Sequence, residues 1–178
     1  SQELFLDDAI TLYEDLKSKY PHSKYINQIH IDLSLIHYRN KNYYSTINSI
    51  NKIDNPSSEE LFRLAYSNFC LDSLDQAQYI FSKIMQQRSR YKSAAKYYYA
   101  HILYLNNNYR LSLTAFQDLL SNEKFGKIVP YYISQIYFQI KDYENLIKFT
   151  ELRINQSLES RKAELFLLLA ESYYHLKK

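Results

Sequence analysis

One glycine, Gly126, and three prolines are all that 178 residues contain of the two strongest turn formers; there is no tryptophan, and methionine and cysteine occur once each. So small a stock leaves few of the tight turns that join strands into sheets, which points to helices throughout. With one glycine, neither a dinucleotide-binding fingerprint nor a Walker phosphate loop can be spelled. Cys70 has no partner for an intrachain disulfide, and it says nothing decisive about compartment. The longest unbroken apolar run, Leu165 to Ala170, is far too short to span a bilayer, so no direct membrane insertion is expected. Charge of one sign is scarce as well: the formal net charge of +3 is mild and spread along the chain, which does not by itself call for nucleic acid or an anionic membrane. The chain does not open with Met, and no charged-then-apolar leader precedes Glu3, so it is expected to be a fragment of a larger protein with any export signal upstream.

What the sequence does have is apolar residues, 46% of the total, with 20 tyrosines among them, and these are enough to build a core. The stretch "HILYLNNNYRLSLTAFQDLL" breaks two apolar, helix-like segments with three asparagines, of which Asn108 suits the cap of the second helix. That break recurs. Asn42 precedes "YYSTINSINKI", Ser73 precedes "LDQAQYIFSKI" and Asp142 precedes "YENLIKFTEL", so the caps lie 31, 35 and 34 residues apart. Ser73 also has Gln76 three residues on, the capping-box spacing. Directly after each cap stands Tyr43, Leu74, Tyr109 or Tyr143, large enough to fold back over the preceding helix.

Further columns keep the same register. Eight residues before each cap is a small side chain, Ser34, Ala65, Ala100 or Ser134, with Ala170 continuing the series; a small residue there lets a neighbouring helix approach closely. Four residues before each cap is an aromatic, Tyr38, Phe69, Tyr104 or Phe138, continued by Tyr174. A spacing of four puts both columns on one helical face. Past each cap come Thr46, Ala77, Ser112 or Leu146, then Ile50, Phe81, Phe116 or Thr150, mostly small followed by large. The last member departs at both positions, so the fourth pair is expected to pack less regularly.

Self-similarity at about 34 residues, each unit being two amphipathic helices and a short turn, marks a helical solenoid. On these residues the chain resembles the tetratricopeptide repeat (TPR) family, whose first helix carries a small residue and aromatics and whose second carries small and aromatic positions after an Asn- or Asp-ended turn. The resemblance implies an all-α, right-handed α-solenoid of antiparallel helix pairs, a TPR-like superhelix. Its units are expected at residues 24–56, 57–90, 91–126 and 127–158. Residues 1–23 form a half repeat, with Ala9, Tyr13, Leu16 and Pro21 as its second helix, and residues 159–178 form another that supplies only a first helix. The sequence departs from the family in lacking the usual glycine of the first helix and turn, where Ser, Ala, Asn or Lys stand, and in keeping the closing proline only as Pro21. Asn can adopt the left-handed conformation needed at a helix end. Pro130 fits the first turn of a helix from about Val129 to Ile140. The stretch from Tyr20 to Tyr25 and the segment "VPYYISQIYFQIKDYENLI" are similar to TPR segments of Gram-negative envelope proteins, which implies a bacterial, periplasmic or outer-membrane-associated scaffold.

Chemistry is sparse. His30 and His37 lie two helical turns apart, roughly 10 Å along the axis at ~1.5 Å per residue, too far to share one metal ion. His101 and His175 read as surface or partly satisfied core histidines, Cys70 as a buried, inert thiol, and Ser57 with Glu60 as a capping box. The cluster "RSRYKSAAK", with Arg88, Arg90, Lys92 and Lys96, reads either as a charged loop beside a helix end or as an RNA contact; an RNA code would repeat the same polar residues in every unit, and these units vary. No metal, cofactor, enzyme activity or nucleic-acid partner is therefore expected.

In the TPR family the first helices line the concave face. Here that face would carry Tyr38, Phe69, Tyr104, Phe138 and Tyr174, with Tyr66, Tyr97, His101, Tyr131, Gln135 and Glu171 one turn before. Tyrosine offers apolar area and a hydroxyl at modest entropic cost, which suits a protein or peptide ligand, although the same column serves the packing of the repeats. The expected function is a non-catalytic interaction scaffold, with a purely structural span of a long envelope protein as the alternative. Exposed apolar faces on the first and last helices would also allow self-association.

Overall fold

The structure, a computed structural model, describes the backbone of residues 2–177 and the side chains of residues 7–177. Among the described residues ten α-helices occur in the order α1 (Gln2–Lys19), α2 (Ile26–Arg39), α3 (Tyr43–Ile50), α4 (Ser58–Cys70), α5 (Leu74–Gln86), α6 (Lys92–Leu105), α7 (Tyr109–Gln117), α8 (Val129–Gln139), α9 (Tyr143–Arg153) and α10 (Lys162–His175), with two short 3-10 turns between α9 and α10. No strand occurs among the described residues. Pairs α2–α3, α4–α5, α6–α7 and α8–α9 fall where the four repeated segments lie. The chain divides into two compact units, one up to Ala95 and one from Lys96, with the division inside α6.

The four turns within these pairs are copies of one hydrogen-bonding scheme. After α2, the amide of Lys41 donates to the Tyr38 carbonyl at 3.0 Å and that of Asn42 to the His37 carbonyl at 2.8 Å, the paired bonds of a Schellman motif. Asp72 with Ser73, Asn107 with Asn108 and Lys141 with Asp142 repeat both bonds. The motif needs a left-handed residue, and Lys41, Asp72, Asn107 and Lys141 supply it with φ of 57°, 58°, 57° and 60°. Glycine would meet that conformation without strain; here side-chain residues carry it, each at a cost of about 1–2 kcal/mol that the two bonds help to offset.

All four expected caps occupy the N-cap position, but only two bond as caps. The side chains of Asn42 and Asp142 accept from the amides of Ser45 and Asn145 at 3.2 and 3.3 Å. Ser73 and Asn108 make no such bond, so the capping box read for Ser73 and Gln76 does not form. The backbone does not separate the two kinds, since ψ is 63° and 61° at Ser73 and Asn108 and 66° at the capping Asp142. Ser57 and Glu60 do form the reciprocal capping box.

The small-residue column does what its register demands. Ser34, Ala65, Ala100 and Ser134 are completely buried. At Ala100 the second helix comes close enough for the Ser112 hydroxyl to donate to the Ala100 carbonyl at 2.8 Å, and at Ser134 the hydroxyl lies 2.8 Å from that of Thr150. Leu146 and Thr150, the irregular members of the second-helix columns, are as fully buried as their counterparts, because the shorter Thr150 is compensated by that hydroxyl contact. Ala170 breaks the series: it is exposed, since no helix among the described residues packs on that side of α10. Replacing Ala100 by Leu is expected to force α6 and α7 apart and cost about 1–3 kcal/mol, read as a lower denaturant midpoint; an unchanged midpoint would mean that close approach at this column is dispensable.

Ten residues before the caps stand Asp32, Arg63, Tyr98 and Tyr132, and three of them, Asp32, Arg63 and Tyr132, contact the preceding helices. Asp32 accepts from the Tyr13 hydroxyl at 3.1 Å. Arg63 is buried, with its guanidinium bonded to Glu59 and Glu60 of its own helix at 3.0 Å each and reaching the Ser34 hydroxyl of α2 at 3.4 Å. Tyr132 reaches into the aromatic cluster described below.

Candidate functional site

Helical spacing carries aromatic residues onto the first helices in both units, and the turn residues then pack over them. In the first unit Tyr38 meets Tyr43 edge-on at 6.5 Å and Tyr66 at 5.8 Å, while Tyr66 also meets Phe69 at 6.4 Å. Phe62 extends the cluster to Tyr91, stacked at 5.1 Å. In the second unit Tyr104 packs on Tyr109 at 5.9 Å and Phe138 on Tyr143 at 5.8 Å. The residue after each of these three caps therefore folds back over the preceding helix, as its place in the sequence suggests. The candidates are half-buried rings, whereas Glu171 and Tyr174 are exposed, the latter by 81%.

The densest group lies in the second unit. Tyr97, His101 and Tyr104 of α6 surround Tyr132 of α8, with centroid distances of 6.0, 5.1 and 6.0 Å. Tyr132 lies flat on the buried Phe116 at 5.0 Å, and Phe125 lies flat on Tyr97 at 4.8 Å. The loop before α8 aims Phe125: its amide donates to the Asn122 side chain at 3.2 Å, and the Gly126 amide donates to the Asn122 carbonyl at 2.7 Å. A methyl group on Gly126 would meet the carbonyl oxygens of Leu120 and Asn122 at 2.6 and 2.8 Å, so this turn requires glycine. Beside the cluster, Tyr131 accepts from Gln135 at 3.2 Å and carries the Arg161 guanidinium 4.5 Å over its ring. Tyr132, Phe125, Phe62, Tyr91 and Arg161 all belong to these groups without standing out in the repeat pattern.

Burial sets the electrostatics. It pushes the Tyr97 hydroxyl far above its usual range, helped by a 3.3 Å bond to the Tyr132 hydroxyl. Burial likewise raises Tyr38 to about 12. Tyr43 is also pushed up to about 12, first by its bond to the Cys70 thiol and then by burial. That thiol is exposed at the end of α4, not buried: one residue past Phe69 it is turned about a hundred degrees round the helix, off the packed face.

Three histidines are held below their ordinary range: His101 by burial, His37 chiefly by burial, and His30 by burial with Lys17 and Lys52 adding to it. His175, by contrast, is exposed and stacks on Tyr143 at 4.7 Å. Below the unfolded value of about 6.5, the unfolded chain takes up protons that the folded chain refuses, so stability present above that pH is lost on acidification. Thermal unfolding followed from pH 7.5 to 5 is expected to show a falling midpoint, with a shallower fall in His101→Phe; an identical slope in that variant would remove His101 from the effect.

Of the basic cluster, Arg90 bonds to Glu59 and to the Tyr91 hydroxyl, and Lys96 pairs with Asp118 at 2.6 Å, while Arg88 is exposed. Half of its charges are thus neutralised within the fold.

The fold is shared with solved structures. MamA superposes with a TM-score of 0.73 at 17% identity over 92% of this chain and 94% of that one. A MamA structure from Desulfovibrio magneticus RS-1 gives 0.71 at 14% identity over 85% of both chains. The C-terminal part of a TPR repeat-containing protein from Cytophaga hutchinsonii gives 0.67 at 21% identity over 81% of this chain and 57% of that one. No family model and no curated protein matches the sequence. The fold is accordingly TPR-like, all-α and built of helix pairs.

Proposed function

We propose that the chain is a non-catalytic scaffold that binds a protein or peptide partner along the aromatic face of its first helices. The observation that supports this most is the half-buried line of Tyr97, His101, Tyr104, Tyr131 and Gln135, braced from below by Tyr132 and Phe116. Rings already held in place lose little rotamer freedom when a ligand arrives, and their hydroxyl, imidazole and amide groups supply orientation. A bacterial cell-envelope setting belongs to the same proposal and rests on the resemblance of Tyr20 to Tyr25 and the α8–α9 segment. The alternative, a structural span whose face stays empty, is favoured by the covering of Tyr38, Tyr104 and Phe138 by Tyr43, Tyr109 and Tyr143.

Peptides selected from a random library on this chain separate the two readings. Tyr131→Ala and Gln135→Ala are expected to weaken the selected peptides about tenfold or more, a loss of hot-spot size. Tyr44→Ala and Tyr79→Ala, exposed on second helices α3 and α5, should leave them unchanged. Failure to select any peptide, or equal losses in all four variants, would favour the span.

A further inference from the structure

Twelve residues before the caps and ten after them stand His30 with Lys52, Leu61 with Lys83, Lys96 with Asp118, and Pro130 with Leu152. In α6–α7 the two positions meet, and the Lys96 ammonium lies 2.6 Å from the Asp118 carboxylate. In α4–α5 and α8–α9 at least one of the two is apolar. The α2–α3 pair alone sets a basic side chain at both. Lys96 and Asp118 keep side-chain exposures of 23% and 53% in a pair that other pairs precede and follow, so this edge of the repeat stays open to solvent where the array continues.

Around His30 and Lys52 the chain leaves a polar pocket of about 230 Å³. α1 contributes Lys17, α2 contributes His30 and His37, and α3 with the turn after it contributes Ser45, Ser49 and Lys52. His30 is 6% exposed, and its Nδ1 is buried without a hydrogen-bond partner. A buried polar group left in this way is unfavourable unless something from outside the chain satisfies it. The carboxylate in the pocket wall, Glu14, is taken by Lys17 at 2.7 Å. Lys52 pairs with no carboxylate among the described residues. After burial, Lys17 and Lys52 are what hold His30 below its ordinary range, with Glu14 and Asp54 opposing them; His37 faces Glu14 and Lys17.

We propose that this pocket binds a tetrahedral dianion of the phosphate class, held between the Lys17 and Lys52 ammonium groups and the His30 imidazole, at the edge where Asp118 supplies the negative charge in α6–α7. Two ammonium groups, an imidazole and the Ser45 and Ser49 hydroxyls offer more donors than the two oxygens of a carboxylate accept, and the pocket lacks the planar guanidinium fork that matches a carboxylate. The three or four oxygens of a phosphate-type anion suit this set. Its charge also reverses the field at His30, so the imidazole takes up a proton as the anion enters. The site stands whether or not the aromatic face binds a peptide.

Two-dimensional NMR titration of the isotope-labelled chain with sulfate, inorganic phosphate and O-phosphoserine, at constant ionic strength, tests the proposal. Sulfate stays doubly charged between pH 7.5 and 5.5, so the pH dependence of its binding reports the protein. Its Kd is expected at about 1 mM at the lower pH and at least about fivefold weaker at the higher, because binding takes up a proton. Lys52→Asp, at an exposed position, reproduces the carboxylate of α6–α7 and is expected to weaken all three ligands at least about tenfold. Lys83→Gln, at the same place in α4–α5, should leave them unchanged. His30→Leu takes the residue type that Leu61 shows to fit this position, and should make the pH dependence markedly shallower. O-phosphoserine binding more tightly than inorganic phosphate assigns the site to a phosphoryl group carried on a larger molecule; the reverse order assigns it to the free ion. Three results each overturn the proposal: no saturable binding of any of the three up to about 20 mM, undiminished binding in Lys52→Asp, and an unchanged pH dependence in His30→Leu.

Discussion

Arg63→Ala is expected to destabilise the first unit by about 3 kcal/mol, the low end of the range for breaking a buried ion pair. Arg63 is 4% exposed and Glu60 8%, so removal of the guanidinium strands a carboxylate out of reach of water. Glu60 keeps one bond, accepting from the Ser57 amide at 2.7 Å, which is why the loss should not reach the upper end. In a chain of this length such a loss lowers the melting midpoint by about 6–12 °C. The partner on the other side reports the same network. Glu59 is held below the usual carboxylate range, first by the Tyr91 hydroxyl and then by the Arg90 and Arg63 guanidinium groups. Its contribution is present above the unfolded value of about 4.3 and is lost as pH falls through the lower folded value. Arg63→Ala should therefore also flatten the stability profile in that acid window, whereas Arg63→Ala combined with Glu60→Leu should recover part of the midpoint by removing the stranded charge. A midpoint within 2 °C of the unaltered chain, about half a kcal/mol to one kcal/mol on the same scale, would show that the guanidinium is not holding α4 against α2.

The repeat was legible in the sequence wherever one chemical type recurs in step. The small column and the aromatic column recur in all four pairs and the tyrosine after the turn in three, and where they recur they serve like contacts, so identity repeats with geometry. The left-handed residue was partly hidden: Lys41, Asp72 and Lys141 occupy it where glycine would have announced it, because two backbone bonds per turn sustain the conformation whatever the side chain. The column facing the preceding unit was invisible for a different reason. Asp32, Arg63, Tyr98 and Tyr132 share a position, and three of them solve the contact with a hydroxyl bond, a buried ion pair and ring stacking, so no single residue type runs through all four. Phe125 reaches Tyr97 from the loop that ends its repeat, where no recurring column runs, and that turn requires the lone glycine behind it. The candidate face was thus readable as a row of aromatics, while what braces it was not.

That bracing makes Phe116→Ala the second large effect. Phe116 is fully buried, with Tyr132 stacked on it at an interplanar angle of 11° and Tyr97 packed edge-on at 6.0 Å. Truncation removes the ring's transfer energy and leaves a cavity between two stiff helices, for an expected cost of about 3–5 kcal/mol. Phe116→Leu, which fills most of that space, should cost markedly less. The second unit offers a readout beyond stability, because the Tyr97 hydroxyl is raised chiefly by burial and then by its bond to Tyr132. If Tyr132 loses its support, water reaches this pair, and titration of tyrosine absorbance should show an additional ring ionising near pH 10 in Phe116→Ala. Peptides bound at Tyr131 and Gln135 should weaken too, although Phe116 touches neither ligand nor solvent. A variant that lost stability while keeping both the tyrosine titration and peptide affinity would show that the core and the face are independent, and that the rigidity invoked for binding does not come from Phe116.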